Sequence, residues 1–260
     1  MTICYFDAFS GISGDMTVAA LVDAGADSAT VLDGLASLNL GAECTFEPTC
    51  RKGISALKFR VHGGEQRAHR HLPQILKMIE TSTLPDSAKK NASAVFTRLG
   101  EAEADAHGVL IEKVHFHEVG AADSICDIVG ACHAIALLGV ERIFSSALNA
   151  GSGTVNTQHG LLPVPAPATS RLLAGAPVYA RGPEVELTTP TGAALVTTLA
   201  SGFGPLPAMI LKRTGYGAGD NDFSEQANVL RVLIGEAEGT AGEGLGGQAN
   251  SHSHTPPLRP

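Results

Sequence analysis

The stretch Val114–Gly139 reads VHFHEVGAADSICDIVGACHAIALLG and predicts the central helix of the fold. After Gly120, apolar residues recur at the spacing of an α-helix with one buried face. These apolar positions are Ile125, Ile128, Val129, Cys132, Ile135 and Ala136. The sequence therefore predicts a helix of which one side faces the protein core.

Residue types that bind metal ions are concentrated at the start of this stretch. In an extended conformation, His115 and His117 lie on one face, where two imidazoles are close enough to share an ion. Asp123 and Asp127 are one helical turn apart, on a face roughly opposite to the apolar stripe. Together with Glu118, these residues form a set of metal-ligand types. An exposed His-x-His strand and a solvated pair of aspartates are the alternative interpretation.

Further histidines lie in two other segments. A polar loop contains His69 and His71, which form a second His-x-His pair. The segment Asn149–Thr169 is predicted to be one long loop, and loops of this length are usually functional or disordered. It contains His159, which is a candidate ligand, although a single loop histidine is more often solvated.

Two segments that precede helices are candidate anion sites, because a helix amino terminus offers free N–H groups. The first, AFSGISGDM, follows a short apolar strand and contains Asp7, Ser10, Gly11, Ser13, Gly14 and Asp15. Its two aspartates repel a bare phosphate, so a phosphate bridged by Mg²⁺ or Mn²⁺ fits better. The alternative is an ordinary strand–helix turn with Asp15 at the helix start.

The second segment, LTTPTGAALV, contains Thr189, Thr191 and Gly192 at the beginning of a predicted helix. Its hydroxyl and amide groups can cap this helix or hold an anionic ligand at its positive end. Neither segment has the Gly-Lys-Ser/Thr ending of a Walker sequence.

Composition restricts the class of protein and its partners. The chain has 260 residues, 44% of them hydrophobic and 17% charged, which is typical of globular proteins. A formal net charge of −8 without a Lys/Arg run argues against a nucleic-acid partner. The sequence has no signal-peptide or transmembrane stretch, which predicts a cytoplasmic protein with no membrane partner. Five cysteines without a CxxC pair are predicted to be reduced thiols.

Strand and helix patterns predict an α/β fold of the mixed α+β type, with a mixed sheet flanked by helices. Residues 1–236 are predicted to be the globular region, with a possible subdomain boundary near Gly63 and Gly64. The glycine-rich segment Gly215–Asp220 is predicted to be the turn between the last two strands. Residues 237–260 are predicted to be disordered, because they contain almost no apolar side chains.

Five segments, which follow one another across nearly the whole globular region, resemble the LarC family of nickel insertion proteins. They are FDAFSGISGDM (6–16), HFHEVGAADSICDIVGA (115–131), GTVNTQHGLLPVPAPAT (153–169), LTTPTGAALV (187–196) and GYGAGDND (215–222). The resemblance implies a nickel-pincer-nucleotide cyclometallase, a nickel chelatase of the lyase class. Such an enzyme places nickel into pyridinium-3,5-bisthiocarboxylic acid mononucleotide with the use of CTP and a divalent cation, and its product serves lactate racemase and related enzymes.

The resemblance also implies roles for the candidate residues. Nickel ligands are expected among His69, His71, His115, His117, Glu118, Asp123 and Asp127. Metallation at a ring carbon removes a proton, so His115, His117 or Glu118 is expected to act as the general base, and His117 and Glu118 are taken as the catalytic residues. The anionic precursor is expected to bind at the loops Ser10–Gly14 and Thr188–Gly192, and His159 is a further candidate contact.

This sequence departs from the family pattern at its carboxy terminus. Family members usually continue into a domain to which CTP binding is attributed, whereas this chain ends in a Gly/His/Pro tail. CTP with Mg²⁺ or Mn²⁺ is therefore expected to act through a second half or chain, and the apo-racemase is a further expected partner. Two other classes stay open, namely a metal-dependent phosphohydrolase or nucleotide-processing enzyme and a non-catalytic nickel delivery module.

Overall fold

The computed structural model describes residues 1–64, 70–114, 116 and 121–237. Its helices are α1 (Gly14–Asp23), α2 (Ser28–Ala36), α3 (Leu72–Thr81), α4 (Asp86–His107), α5 (Ala122–Leu137), α6 (Pro167–Leu172) and α7 (Pro190–Leu199), with a 3-10 turn at Ile111–Lys113. Its strands are β1 (Thr2–Asp7), β2 (Ala42–Arg51), β3 (Ile54–Gly63), β4 (Arg142–Ser145), β5 (Leu148–Asn149), β6 (Thr154–Thr157), β7 (Gly160–Pro163), β8 (Val178–Tyr179), β9 (Gly202–Phe203), β10 (Met209–Ala218) and β11 (Val229–Ala237).

Within the described residues, seven strands form one mixed sheet in the order β2-β3-β10-β11-β1-β4-β9. Strand β1 pairs antiparallel with β11 and parallel with β4, so that Cys4 lies opposite Ile234 on one side and Ile143 on the other. All residues of β1 from Ile3 to Phe6 are buried, as expected for a strand that is covered on both faces. The predicted α/β fold with a mixed sheet and flanking helices is confirmed.

Helix α5 is the helix predicted from the stretch Val114–Gly139, and it lies in the core. Ile125, Ile128 and Cys132 are fully buried, which confirms the predicted apolar stripe. At Gly130 a Cβ atom would lie 3.2 Å from a methyl carbon of Val18, so α5 packs closely against α1. Through this contact, α5 positions the amino-terminal end of α1, which belongs to the candidate site described below.

The glycine-rich segment near the end of the chain differs from the prediction of a turn. Strand β10 continues to Ala218, so Gly215 and Gly217 lie within the strand. A Cβ on Gly215 would be 2.1 Å from the carbonyl oxygen of Ala20, and one on Gly217 would be 1.9 Å from that of Met16. The prediction of a turn is wrong here, because these glycines allow the backbone of α1 to lie directly on the sheet.

The segment Asn149–Thr169 is not the single long loop that the sequence predicts. It contains the hairpin of β6 and β7, in which Thr154 lies opposite Pro163, and it ends in the first residues of α6. Pro167 is the first residue of α6, where the missing N–H of proline costs no hydrogen bond. The hairpin places the turn that contains His159 beside α4.

Other expectations concern the limits of the globular region. The core contains side chains from both sides of the possible boundary near Gly63 and Gly64, such as Phe59 and Ile75, and the boundary stays a prediction. Residues 238–260 of the predicted tail lie outside the described residues. All five cysteines are free of disulfide bonds, as expected. No helix within the described ranges is long and apolar enough to cross a membrane.

Candidate functional site

The two predicted anion-binding segments lie side by side in the fold. The Ile12 N–H donates to the Leu187 carbonyl oxygen at 3.0 Å, and the Thr189 N–H donates to the Ile12 carbonyl oxygen at 3.0 Å. These bonds form a short parallel bridge just before α1 and α7 begin. The amino termini of two helices are therefore brought together, although they are far apart in the sequence.

Glycines allow this close approach of the two segments. Gly11 has a φ of +82°, and a Cβ there would lie 2.0 Å from the Leu187 carbonyl oxygen. A Cβ on Gly192 would lie 2.1 Å from the Ile12 carbonyl oxygen. No side chain fits at either position, so both glycines are required by the backbone contact itself.

Hydroxyl groups cap both helices. Ser13 is the N-cap residue of α1 and accepts a hydrogen bond from the Met16 N–H at 3.4 Å. Thr189 is the N-cap residue of α7 and accepts one from the Gly192 N–H at 3.3 Å, while the Thr191 hydroxyl lies 3.0 Å from that of Thr189. Capping accounts for the positions of these hydroxyl groups. A ligand would therefore contact them from the space that they border.

That space is a cavity of about 170 Å³, which we call the two-helix cleft. It lies between the starts of α1 and α7 and the loop that follows β10. Its lining residues include Ser13, Asp15, Glu186, Thr189, Gly219, Asp220 and Asn228. The predicted residues Ser13, Asp15 and Thr189 therefore share one cavity.

A buried lysine pairs with one residue of the cleft lining. The side chain of Lys58 on β3 is only 4% exposed, and its Nζ lies 2.6 Å from Oδ1 of Asp220. The Nη1 of Arg60 lies 2.9 Å from the same oxygen. The hydrogen bond from Lys58 and the charges of both cations lower the pKa of Asp220. Burial raises the pKa of Asp15, which favours its protonated form, although the Ser13 hydroxyl and the Lys58 charge oppose this.

Asp127 supports the start of α1 from the neighbouring helix. Its half-buried carboxylate accepts a hydrogen bond from the Asp15 N–H, and a Cβ on Gly14 would lie 2.7 Å from its Oδ2. Burial raises the pKa of Asp127 well above its usual value, and the charges of Asp15 and Asp123 raise it further. The interpretation of Asp123 and Asp127 as a solvated pair is wrong for Asp127, because α1 covers that side of α5. Only Asp123 is exposed.

Three other candidate residues are bound within the protein. Asp7 forms an ion pair with Arg231, whose Nε lies 3.0 Å from its Oδ2. The Ser10 side chain is fully buried, and its Oγ accepts a hydrogen bond from Nε2 of Gln226 at 2.9 Å. His71 is the N-cap residue of α3, with its Nδ1 3.1 Å from the Val114 carbonyl oxygen. Their roles in phosphate or nickel binding stay predictions.

The remaining predicted nickel ligands and bases, His69, His115, His117 and Glu118, lie outside the described residues. Phe116, between the two histidines in the sequence, is described and buried, and its N–H donates to the Arg70 carbonyl oxygen at 3.4 Å. Within residues 1–64, 70–114, 116 and 121–237, no three His, Cys, Asp or Glu side chains stand ready to hold a metal ion. The nickel site predicted from these residues stays a prediction.

His159 lies in a second cavity of about 290 Å³ rather than in the two-helix cleft. We call this space the imidazole cavity, because it is bordered by Glu103 and His107 of α4, by His159 of the β6–β7 turn and by Pro190 of α7. The imidazole rings of His107 and His159 have centroids 4.9 Å apart. His159 is therefore separated from the other predicted phosphate ligands.

Comparison with known proteins identifies the family. A family model for nickel insertion proteins matches residues 4–253. The chain belongs to the nickel insertion protein family. A relative from Geobacter sulfurreducens, provisionally named a nickel insertion protein, is 52% identical over 241 residues, which are 92% of this chain and 62% of the relative. The pyridinium-3,5-bisthiocarboxylic acid mononucleotide nickel insertion protein of Desulfitobacterium hafniense is 49% identical over 237 residues, which are 91% of this chain and 59% of that protein.

This member of the nickel insertion family thus spans about three fifths of the length of these curated relatives. No solved structure matches the chain. Four residues at the two cavities were not predicted from the sequence. They are Asp220 in the two-helix cleft with its partner Lys58, and Glu103 and His107 at the imidazole cavity. Glu103 and His107 could have been predicted from their spacing of four residues, which places both on one face of a helix.

Proposed function

We propose that this chain provides the substrate-binding part of an enzyme that inserts nickel into pyridinium-3,5-bisthiocarboxylic acid mononucleotide, to form the nickel-pincer nucleotide. The observation that carries this proposal is the two-helix cleft, where two helix amino termini meet and where the lining residue Asp220 is paired with a buried lysine. Two Desulfitobacterium hafniense relatives carry this substrate in their names, which supports the choice of ligand. Nickel is then a substrate of the reaction and not a resident cofactor.

The cleft suits an anionic group of the precursor. Each helix amino terminus is equivalent to roughly half a positive charge, and backbone N–H groups bind phosphate well. Lys58 lies behind the lining residue Asp220 and offsets its negative charge. Asp220 is paired with both Lys58 and Arg60, which offsets its repulsion of an anion. Glu186 is a further carboxylate in the lining, so a bridging Mg²⁺ or Mn²⁺ would also be accommodated.

The chemistry requires a proton acceptor and metal ligands near the bound precursor. Replacement of a ring C–H bond by a carbon–nickel bond releases one proton, and His117 or Glu118 accepts it. His69, His71, His115, Asp123 and Asp127 are the other nickel ligands expected from the sequence. These assignments are supported by residue type and by the resemblance to the family.

CTP acts through a second half or chain, together with Mg²⁺ or Mn²⁺. Within the part of the chain that the structure describes, the two-helix cleft offers two helix starts, which suit one phosphate better than three. The finished nucleotide then passes to the apo-racemase.

The test of the reaction combines the purified chain with precursor, nickel, CTP and Mg²⁺ or Mn²⁺, with and without a supplied carboxy-terminal half. Mass spectrometry is expected to detect the nickel adduct as a catalytic product only when the second half is present. Release of phosphate from nucleotides in the absence of nickel, without any adduct, would instead indicate a phosphohydrolase.

The role of the cleft is tested by Lys58→Met. Without Lys58, Asp220 in the cleft lining keeps Arg60 as a cationic partner but loses the buried one, so an anionic precursor meets more negative charge and its affinity is expected to fall at least about tenfold. The matched control is Lys212→Met, because Lys212 is exposed and pairs with Glu236 at 3.2 Å outside the cleft. Isothermal titration with the precursor measures both. Equal affinity in the Lys58 variant and the wild-type protein would remove the cleft from the proposal.

A further inference from the structure

The imidazole cavity contains metal-ligand types that the proposed binding of the precursor does not use. Glu103 and His107 lie one helical turn apart on α4, and His159 faces them from the β6–β7 turn. The Nε2 of His107 lies 3.5 Å from Oε2 of Glu103. We propose that Glu103, His107 and His159 bind a divalent transition-metal ion, and that nickel is held here before its insertion.

The distance between the two rings fits a shared ion. A metal–nitrogen bond of about 2.1 Å places the ion about 3.2 Å from the centroid of an imidazole ring. Two rings bound to one ion at an angle of about 90–110° then have centroids roughly 4.5–5.3 Å apart. The centroids of His107 and His159 are 4.9 Å apart, and the rings are tilted by 53° rather than stacked face to face. Small rotations of these exposed side chains are enough to direct one nitrogen of each ring to a common point.

Glu103 supplies the carboxylate of this set. Residues at positions i and i+4 lie on one helix face, and helical metal sites use this spacing to direct two ligands to one ion. As the structure stands, the carboxylate contacts the His107 nitrogen directly, so the three side chains do not yet surround a single point. Binding of an ion replaces this direct contact by two metal–ligand bonds, one from a neutral imidazole and one from a carboxylate.

Two imidazoles and one carboxylate suit nickel that has to be passed on. Imidazole binds divalent nickel well, whereas geometry and ligand type decide selectivity among metals. Three protein ligands leave further coordination positions to water, which keeps the ion exchangeable. The choice of nickel over other divalent ions rests on the function proposed above, whereas the binding of a metal ion does not depend on it.

The position of the cavity connects it to the precursor site. Thr189 borders the two-helix cleft and the next residue, Pro190, borders the imidazole cavity. The first turn of α7 therefore belongs to the walls of both spaces. A precursor anchored at this helix start has its remaining atoms next to an ion held by His107 and His159.

Beyond the cavity, the face of α4 that carries Glu103 and His107 continues to Gly100. A Cβ on Gly100, one turn before Glu103, would lie 3.3 Å from the ring of Phe116. Phe116 of the segment HFHE thus packs on the same face of α4 that carries Glu103 and His107. The region from Gly100 to His107 is where nickel chemistry and the precursor are expected to meet.

Calorimetric titration of the whole chain with nickel chloride, in the absence of precursor, tests the site directly. His107→Ala and His159→Ala are each expected to lower the affinity of the tightest nickel site by at least about tenfold, as loss of a ligand or of its support typically does. The control is His62→Ala, because His62 is exposed on β3 and borders neither cavity. Glu103→Gln, which keeps the size of the side chain, tests the carboxylate.

Thermal unfolding with and without nickel separates loss of the site from loss of the fold. The wild-type protein and the His62 variant are expected to gain thermal stability on addition of nickel, whereas the His107 and His159 variants gain less. Nickel affinities equal to that of the wild type in both the His107 and the His159 variants would overturn the metal site.

The same variants distinguish this site from the proposed function. Nickel binding that depends on His107 and His159, without adduct formation when the second half is supplied, would leave the metal site standing and remove the function. Adduct formation at the wild-type rate by both variants would leave the function standing and show that nickel does not wait here.

Discussion

The two-helix cleft and the imidazole cavity both border the first turn of α7, but they are built from different parts of the chain. The two helix starts that border the cleft are joined by backbone contacts, with Gly11 and Gly192 at positions that admit no side chain. The imidazole cavity is made of side chains on the exposed end of α4 and on a hairpin turn. A backbone site is rigid and suits the anchoring of one substrate. A site of side chains adapts more easily and suits a metal ion that binds and leaves.

The largest effect is expected for Gly192→Ala in the cleft. The new Cβ would lie 2.1 Å from the Ile12 carbonyl oxygen, so the starts of α1 and α7 have to separate. We expect a loss of about 3 kcal/mol in the free energy of unfolding, which lowers the melting temperature by roughly 6–12 °C.

Gly202→Ala is the matched control for this change, because its Cβ would meet the Phe144 ring at an ordinary 3.6 Å. Its effect is expected to stay below about 1 kcal/mol. If the Gly192 variant were as stable as this control, the starts of α1 and α7 could move apart at little cost. The cleft would then not be rigid.

A smaller effect, of opposite sign, is expected for Asp127→Asn behind the cleft. Asparagine keeps an oxygen that accepts the Asp15 N–H but removes a buried negative charge near Asp15. We expect the free energy of unfolding at pH 7 to rise by about 1 kcal/mol. Asp123→Asn is the control, with an expected change within about 0.5 kcal/mol, because Asp123 is exposed.

The effect of Asp127→Asn depends on pH in a defined direction. The folded-state pKa of Asp127 is raised, so the folded protein holds a proton that the unfolded chain has lost. The charged form of Asp127 therefore lowers the free energy of unfolding at pH values above the folded-state pKa. This loss becomes smaller as the pH falls below that pKa. Urea unfolding at several pH values is expected to show the largest stabilisation at neutral pH and a decrease toward acidic pH. A difference that grows on acidification would contradict this account.

The same contrast explains what could be predicted from the sequence. The helix starts at Ser13 and Thr189 carry local signals, namely a hydroxyl residue before an apolar period, and the apolar stripe of α5 is equally local. Their meeting through Ile12 depends on the long-range fold. Lys58 lies in a strand where its burial is set by α1 and by the loop that contains Asp220, so no local pattern indicated it.

Two glycines in β10 show that composition alone can predict the wrong local structure. Gly215 and Gly217 have the composition of a turn, but they lie in a strand because α1 rests on them. Likewise, His107 and His159 are separated in the sequence by helix α5 and strands β4, β5 and β6, and only the folded chain brings their ring centroids to 4.9 Å. Local signals predicted the elements and the capped helix starts, whereas the partners of each site depend on tertiary packing.

The smallest effects are expected in the imidazole cavity without metal. Glu103 and His107 form a helix-surface pair at 3.5 Å, with side chains 19% and 36% exposed, and such pairs contribute little to stability. His159 is exposed at a hairpin turn. Each of the changes Glu103→Gln, His107→Ala and His159→Ala is therefore expected to alter the free energy of unfolding of the metal-free chain by less than about 0.5 kcal/mol.

Addition of nickel is expected to make the wild type more stable than the variants. An ion at a hundredfold excess over its dissociation constant adds about 2.7 kcal/mol to the free energy of unfolding of the wild type, and less to that of the variants. Urea unfolding with and without nickel measures both quantities. A loss of several kcal/mol in the metal-free His159 variant would mean that the hairpin turn serves the fold, and the contrast between a rigid cleft and an adaptable cavity would fail.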